Sequence, residues 1–159
     1  MLRLKKILKK RLETAKKTAV LCVGSDLRAD DSAGMILAGK LSKNNSAGFR
    51  VFLGGTAPEN LTGQILSYKP SHIIIVDSAE DGRKPGAVFL VNPEDISGIS
   101  FSTHMMPLKM LVDYLTESLK CEILVIGIQP RNIKFGGKVS SEVKKSAEEL
   151  ASVIKNILR

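Results

Sequence analysis

Asp30, Asp31, Asp77 and His104 are the residues of this chain whose types and positions best suit chemistry. TAVLCVG (18–24) opens into Ser25-Asp26-Leu27-Arg28-Ala29-Asp30-Asp31-Ser32-Ala33-Gly34. HIIIV (72–76) stops at Asp77, and a later loop reaches Ser102-Thr103-His104 just before a helical stretch. EILVIGI (122–128) leads into Gln129-Pro130-Arg131. If the apolar runs are neighbouring parallel strands, their carboxyl ends share one rim, which is where ligands collect in an open α/β sheet. Two carboxylates and an imidazole suit a divalent cation of intermediate character such as zinc, nickel, iron or manganese. Three protein ligands would leave positions open for water or substrate, as a catalytic metal requires. The competing reading is N-capping of the helix that follows. One aspartate suffices for that role. Two adjacent ones, with a third ending a neighbouring strand, exceed it. The Gly24 loop is not a phosphate cradle, because it lacks the glycine spacing and carries three acids where phosphate needs bare amides or positive charge. No Ser-His-Asp or Cys-His set is evident, since the cysteines open onto apolar runs and the serines lack a paired base.

The elements that must position these residues alternate along the chain. Strands are expected at 18–24, 49–53, 72–76, 86–91 and 122–128, the fourth at an edge. Helices are expected at 31–42, 57–68, 107–119 and 139–158, with Pro58 and Pro107 in first turns. Asp30 and Asp31 mark the start of the first of these. Leu61, Ile65 and Leu66 should face inward on the second. Leu108, Leu111, Val112 and Leu115 make the stripe of the third, and Val143, Ala147, Leu150, Ala151, Ile154 and Leu158 that of the last. The result is a three-layer α/β/α fold around a twisted, mostly parallel five-stranded sheet. Gly54-Gly55 reads as a tight turn with positive φ. His72 reads as a half-exposed structural residue, and Met105, Met106 and Met110 as packing. Glu59 and Asn60 fit either a cap or a polar rim.

With 159 residues the chain has the length of one domain, and its 43% apolar and 25% charged content is globular. The formal net charge of +8 suggests an anionic partner at first sight. However, eight of the 24 Lys and Arg, and one of the 16 acids, lie in residues 1–17. The remainder, 18–159, is near neutral and reads as a single domain. Residues 1–17 read as an amphipathic helix with Leu4, Leu8, Leu12 and Ala15 on one face, docked on the body or contacting a partner. No apolar run is long enough for a membrane span, and no secretory signal is seen. Cys22 and Cys121 read as buried strand residues in a reducing compartment, hence a cytoplasmic protein. No nucleic-acid partner is expected, and a monomer is favoured.

The order VLCVGSDLRADDSAG, GGTAPEN, IIIVDSAEDGRKPG, STHMMPL and GIQP resembles the nickel–iron hydrogenase maturation endopeptidases, in the branch acting on the hydrogenase-3 type large subunit. The resemblance runs from about residue 18 to 155. It implies an enzyme that removes a C-terminal extension from the large-subunit precursor once nickel has been inserted. It also implies that the substrate's nickel is held by two acids and a histidine, which match Asp31, Asp77 and His104. The two aspartates are thereby the candidate catalytic groups, and other divalent cations could occupy the same donors. The family fold, a twisted five-stranded sheet between helices, agrees with the pattern above. Three positions depart from the family pattern: Ser25 replaces Asn, Ser32 replaces Gly, and Leu53 replaces an Asp before the Gly-Gly pair. The last removes a carboxylate from the rim. It keeps open a metal-dependent chaperone that binds the precursor without cutting it. The basic arm is not expected in shorter members.

Overall fold

Every residue of TAVLCV is buried, because this strand lies inside the sheet with neighbours on both edges. The computed structural model describes residues 1–101 and 107–158. Six strands form the sheet: β1 (Thr18–Val23), β2 (Phe49–Gly55), β3 (His72–Glu80), β4 (Val88–Val91), β5 (Ser100–Phe101) and β6 (Glu122–Ile128). Their order is β2-β1-β3-β6-β4, with β5 pairing β3 outside this path. β2, β1, β3 and β6 run parallel, and β4 joins β6 antiparallel. β4 is thus an edge strand, and β6 spans the residues expected of it.

The helices are α1 (Leu2–Arg11), α2 (Ala33–Leu41), α3 (Thr62–Tyr68), α4 (Leu108–Leu119) and α5 (Ser141–Ile157). Side chains alternate across the strands, so the sheet feeds two cores. Val20, Cys22, Ile74, Val76, Leu124 and Ile126 pack with residues of α1, α2 and α5. Leu21, Val23, Ile73, Ile75 and Val125 pack with residues of α3 and α4 on the other face. Covering both faces is what allows continuous apolar runs in parallel strands.

The structure corrects several local readings. β3 does not stop at Asp77 but runs on to Glu80, because β6 pairs with it as far as Ser78↔Ile128 and β5 pairs with Ala79 and Glu80. β5 was not anticipated; two residues carry no periodicity. The first turns expected of α2 and α3 are 3-10 turns, Ala29–Ser32 and Pro58–Leu61. Of the Gly54-Gly55 pair only Gly55 has positive φ (53°), and both residues still belong to β2. Leu66 and Leu158 are only partly buried. His72 is buried rather than half-exposed; its Nδ1 lies 3.0 Å from Ser71 Oγ and its Nε2 3.6 Å from Glu122. Met110 is exposed rather than packed, while Met105 and Met106 lie outside the described residues. Both cysteines are free, but Cys121 precedes β6 and is only half-buried. Burial pushes the Cys22 thiol far above its ordinary range.

The basic arm docks through its leucines. Leu4, Leu8 and Leu12 join the core shared with α5, and Leu8 is fully buried. Lysines 9 and 10 and Arg11 close the last turn, where positive charge complements the helix dipole, and Arg11 pairs with Glu122. Leu8→Ala should therefore destabilise the protein by about 2–4 kcal/mol, measured by urea unfolding. An unchanged midpoint would mean that the arm packs too weakly to matter. No helix among the described residues is long and apolar enough to cross a membrane.

Candidate active site

The parallel register sets the site. Cys22 of β1 lies beside Val76 of β3, so the chain beyond each strand emerges at one rim. On β3 the residue after Val76 is Asp77, fully buried, with Oδ1 accepting the Ser78 N–H at 2.7 Å. From β1 the chain turns through Gly24 and comes back as the 3-10 turn holding Asp31, also fully buried. That turn packs against β3. The return is very close: a Cβ on Gly24 would lie 2.0 Å from the Asp31 carbonyl oxygen, and Gly24 has φ +140°. Ser25 N–H donates to the same carbonyl at 3.1 Å, and Ala29, just ahead of the two acids, adopts a left-handed φ of 44°. A buried non-glycine residue in that region stores strain of about 1–3 kcal/mol, a common property of functional turns. The structure thus places Asp31, in the turn beyond β1, and Asp77, in the last half of β3, toward one rim. His104 lies outside the described residues, and among those described no group of three His, Cys, Asp or Glu is placed to hold a metal.

Asp30 has a different role from its neighbour. Its carboxylate accepts hydrogen bonds from Arg131 N–H (2.7 Å), Asn132 N–H (3.2 Å), Ser140 N–H (2.6 Å) and Ser140 Oγ (3.0 Å). It does not cap α2, whose start has no side-chain cap. It places a negative charge at the N-terminus of α5 and ties down the loop after β6. Replacing Asp30 with Ala would strand these donors in a buried place and should cost about 3 kcal/mol, read as a lowered thermal midpoint. A midpoint unchanged within a degree would contradict the anchoring role. The signal that sequence reasoning missed is the partner, because Ser140 is over a hundred residues away.

Arg131 is committed to Glu142. The Glu142 carboxyl is held below its usual range by its own backbone N–H, then by Arg131 and Ser141. Leu53 is exposed near the end of the edge strand β2, opposite Cys22, so β2 adds no carboxylate there. Glu59, left open between cap and rim, makes no capping bond and lines a cavity with Met110 and Tyr114. A larger cleft, about 640 Å³, is lined by Lys6, Lys9 and Lys16 with Thr18 and Gly48, at the opposite end of the strands from the aspartates.

Three buried side-chain atoms among the described residues have no hydrogen-bond partner: Arg28 Nε, Glu59 Oε2 and Ser78 Oγ. Such atoms are uncommon and each costs free energy. All three lie at or just past the carboxyl ends of β1, β2 and β3. That is the same rim as Asp31 and Asp77.

Known proteins are similar to this chain. The family model for hydrogenase maturation proteases matches residues 36–157, a span that includes Asp77 and His104 but begins after Asp31. A protein of Methanocaldococcus jannaschii assigned to the same proteases is 32% identical over 98% of this chain and 96% of its own. At that coverage the basic arm has a counterpart there. The hydrogenase 3 maturation protease of Escherichia coli K12 is 35% identical over 81% of this chain and 83% of its own. The crystal structure of the nickel–iron hydrogenase maturation protease HycI from Thermococcus kodakarensis superposes with a TM-score of 0.88. It has 28% identity and covers 96% of this chain and 98% of that one. With the fold and these likenesses together, the chain belongs to the hydrogenase maturation protease family, a family of endopeptidases.

Proposed function

We propose that this protein removes the C-terminal extension of a nickel–iron hydrogenase large-subunit precursor after nickel insertion, reading the substrate's nickel through Asp31, Asp77 and His104. The observation that carries the reading is the placement of two fully buried aspartates, one on β3 and one in the turn packed against it, in a chain of this family. Nickel enters with the substrate. Two carboxylates and an imidazole match its preference for oxygen and nitrogen donors and leave room for the substrate's own ligands. Once bound, the metal orients the adjoining peptide segment against the rim. Hydrolysis then follows one of two routes: the metal polarises the scissile carbonyl, or an aspartate acts as base toward the attacking water. Two free thiols fit a reducing compartment, and we place the protein in the cytoplasm.

The test is a mass measurement on the precursor, nickel-loaded and nickel-free, before and after incubation with the purified protein. Shortening confined to the nickel-loaded form is the expected result. Binding without any mass change would instead support the chaperone reading that Leu53 keeps open.

A further inference from the structure

Ser78 follows Asp77 on β3, and its side chain points to the opposite face of the sheet. Its residue is 1% exposed, yet its Oγ has no protein partner. Ser78 lines a cavity of about 160 Å³ at the same rim. One wall is the end of β3 with Ser100 of β5, and the other is the loop 130–133. This loop is the segment whose amides are clamped by Asp30. The pocket is therefore preformed by the contacts that hold the site together.

Several of the polar groups around it are already engaged. Glu80 accepts from Gln129 Nε2 at 2.6 Å and from Gly82 N–H, Arg131 pairs with Glu142, and Asn132 Oδ1 accepts Lys134 N–H. A hydroxyl both donates and accepts, so it suits the neutral N–H and C=O groups of a peptide backbone. Asp77 and Ser78 are neighbours on β3 with Cα atoms about 3.8 Å apart, so both lie at one rim although their side chains leave it on opposite faces.

We infer that the Ser78 pocket is a substrate subsite, in which the hydroxyl bonds a backbone peptide group of the precursor close to the bond presented at Asp77. This rests on the proposed proteolytic reading but concerns binding, so the two fail separately. Ser78 is a positioning residue here, with no covalent role.

The experiment titrates nickel-loaded large-subunit precursor against wild type, Ser78→Ala and Ser78→Thr, with thermal melts of all three. Ser78→Ala should weaken precursor binding about five- to tenfold, the effect of one lost hydrogen bond. Its thermal midpoint should stay level or rise, because a buried hydroxyl without a partner has been removed. Ser78→Thr, which keeps the hydroxyl, should bind as wild type does. Equal affinity of Ser78→Ala and wild type overturns the inference. So does a fall in the Ser78→Ala midpoint, which would mark a structural hydroxyl. Wild type that binds the precursor without shortening it defeats the proteolytic reading, while the affinity comparison still decides the subsite.

Discussion

Asp77→Asn and Asp31→Asn should each slow processing of nickel-loaded precursor by about a hundredfold or more, the scale on which a carboxylate serving as ligand or base contributes. The amide is nearly isosteric with the carboxylate. At position 77 its oxygen can still accept the Ser78 N–H. Melting temperatures should therefore remain close to wild type while turnover collapses. Asn cannot take a proton from water and is a weak ligand for a divalent cation, so both hydrolytic routes lose the same group. His104→Ala belongs in the series as the third proposed ligand. The measurement is single-turnover cleavage followed by intact mass. Full-rate cleavage by all three variants would sink the assignment of the site.

The second large effect concerns stability. A Cβ on Gly34 would lie 2.0 Å from the Val23 carbonyl oxygen and 2.8 Å from the Val23 nitrogen. Both atoms belong to the main chain of β1, which is paired on both sides. Neither can yield without breaking the sheet. Gly34→Ala should destabilise by more than about 4 kcal/mol, a large share of the 5–15 kcal/mol typical of a domain. Gly39 is the control, being in the same helix and exposed, with nothing within 4 Å of its Cβ position. Gly39→Ala should stabilise by about 0.5–1 kcal/mol through helix propensity. Urea unfolding of the two variants reads both signs, and similar midpoints would show that α2 does not press on β1 as described. The link to function is direct: the close approach of Gly34 seats α2 and, one turn ahead of it, Asp31.

Much of the fold is legible along the chain. β6 and the stripes of α4 and α5 stand out because apolar residues recur with the period of the element that buries them. Asp31 and Asp77 could be selected because parallel strands bring their carboxyl ends together whatever the intervening helices contain. Less legible was anything set by contact between distant segments. β5 is too short to show a pattern and exists because the end of β3 offers it an edge. Asp30 looked like the cap of the helix beside it, whereas its partners are Arg131, Asn132 and Ser140. Met110 looked like core by composition but lies on the open face of α4.

The strand–helix alternation, the mostly parallel sheet and the order of the chemistry-bearing residues follow from the sequence alone, because periodicity and the direction of parallel strands are local properties. The tertiary structure decided how the adjacent acids divide their work. Asp30 accepts four hydrogen bonds from the far end of the chain, while its neighbour Asp31 is buried in a turn packed against the strand that holds Asp77. It also decided that Ser78, unremarked in its strand, borders a pocket while its buried hydroxyl has no partner. Both outcomes depend on which donors and walls are within hydrogen-bond reach in space, and spacing along the chain carries no information about that.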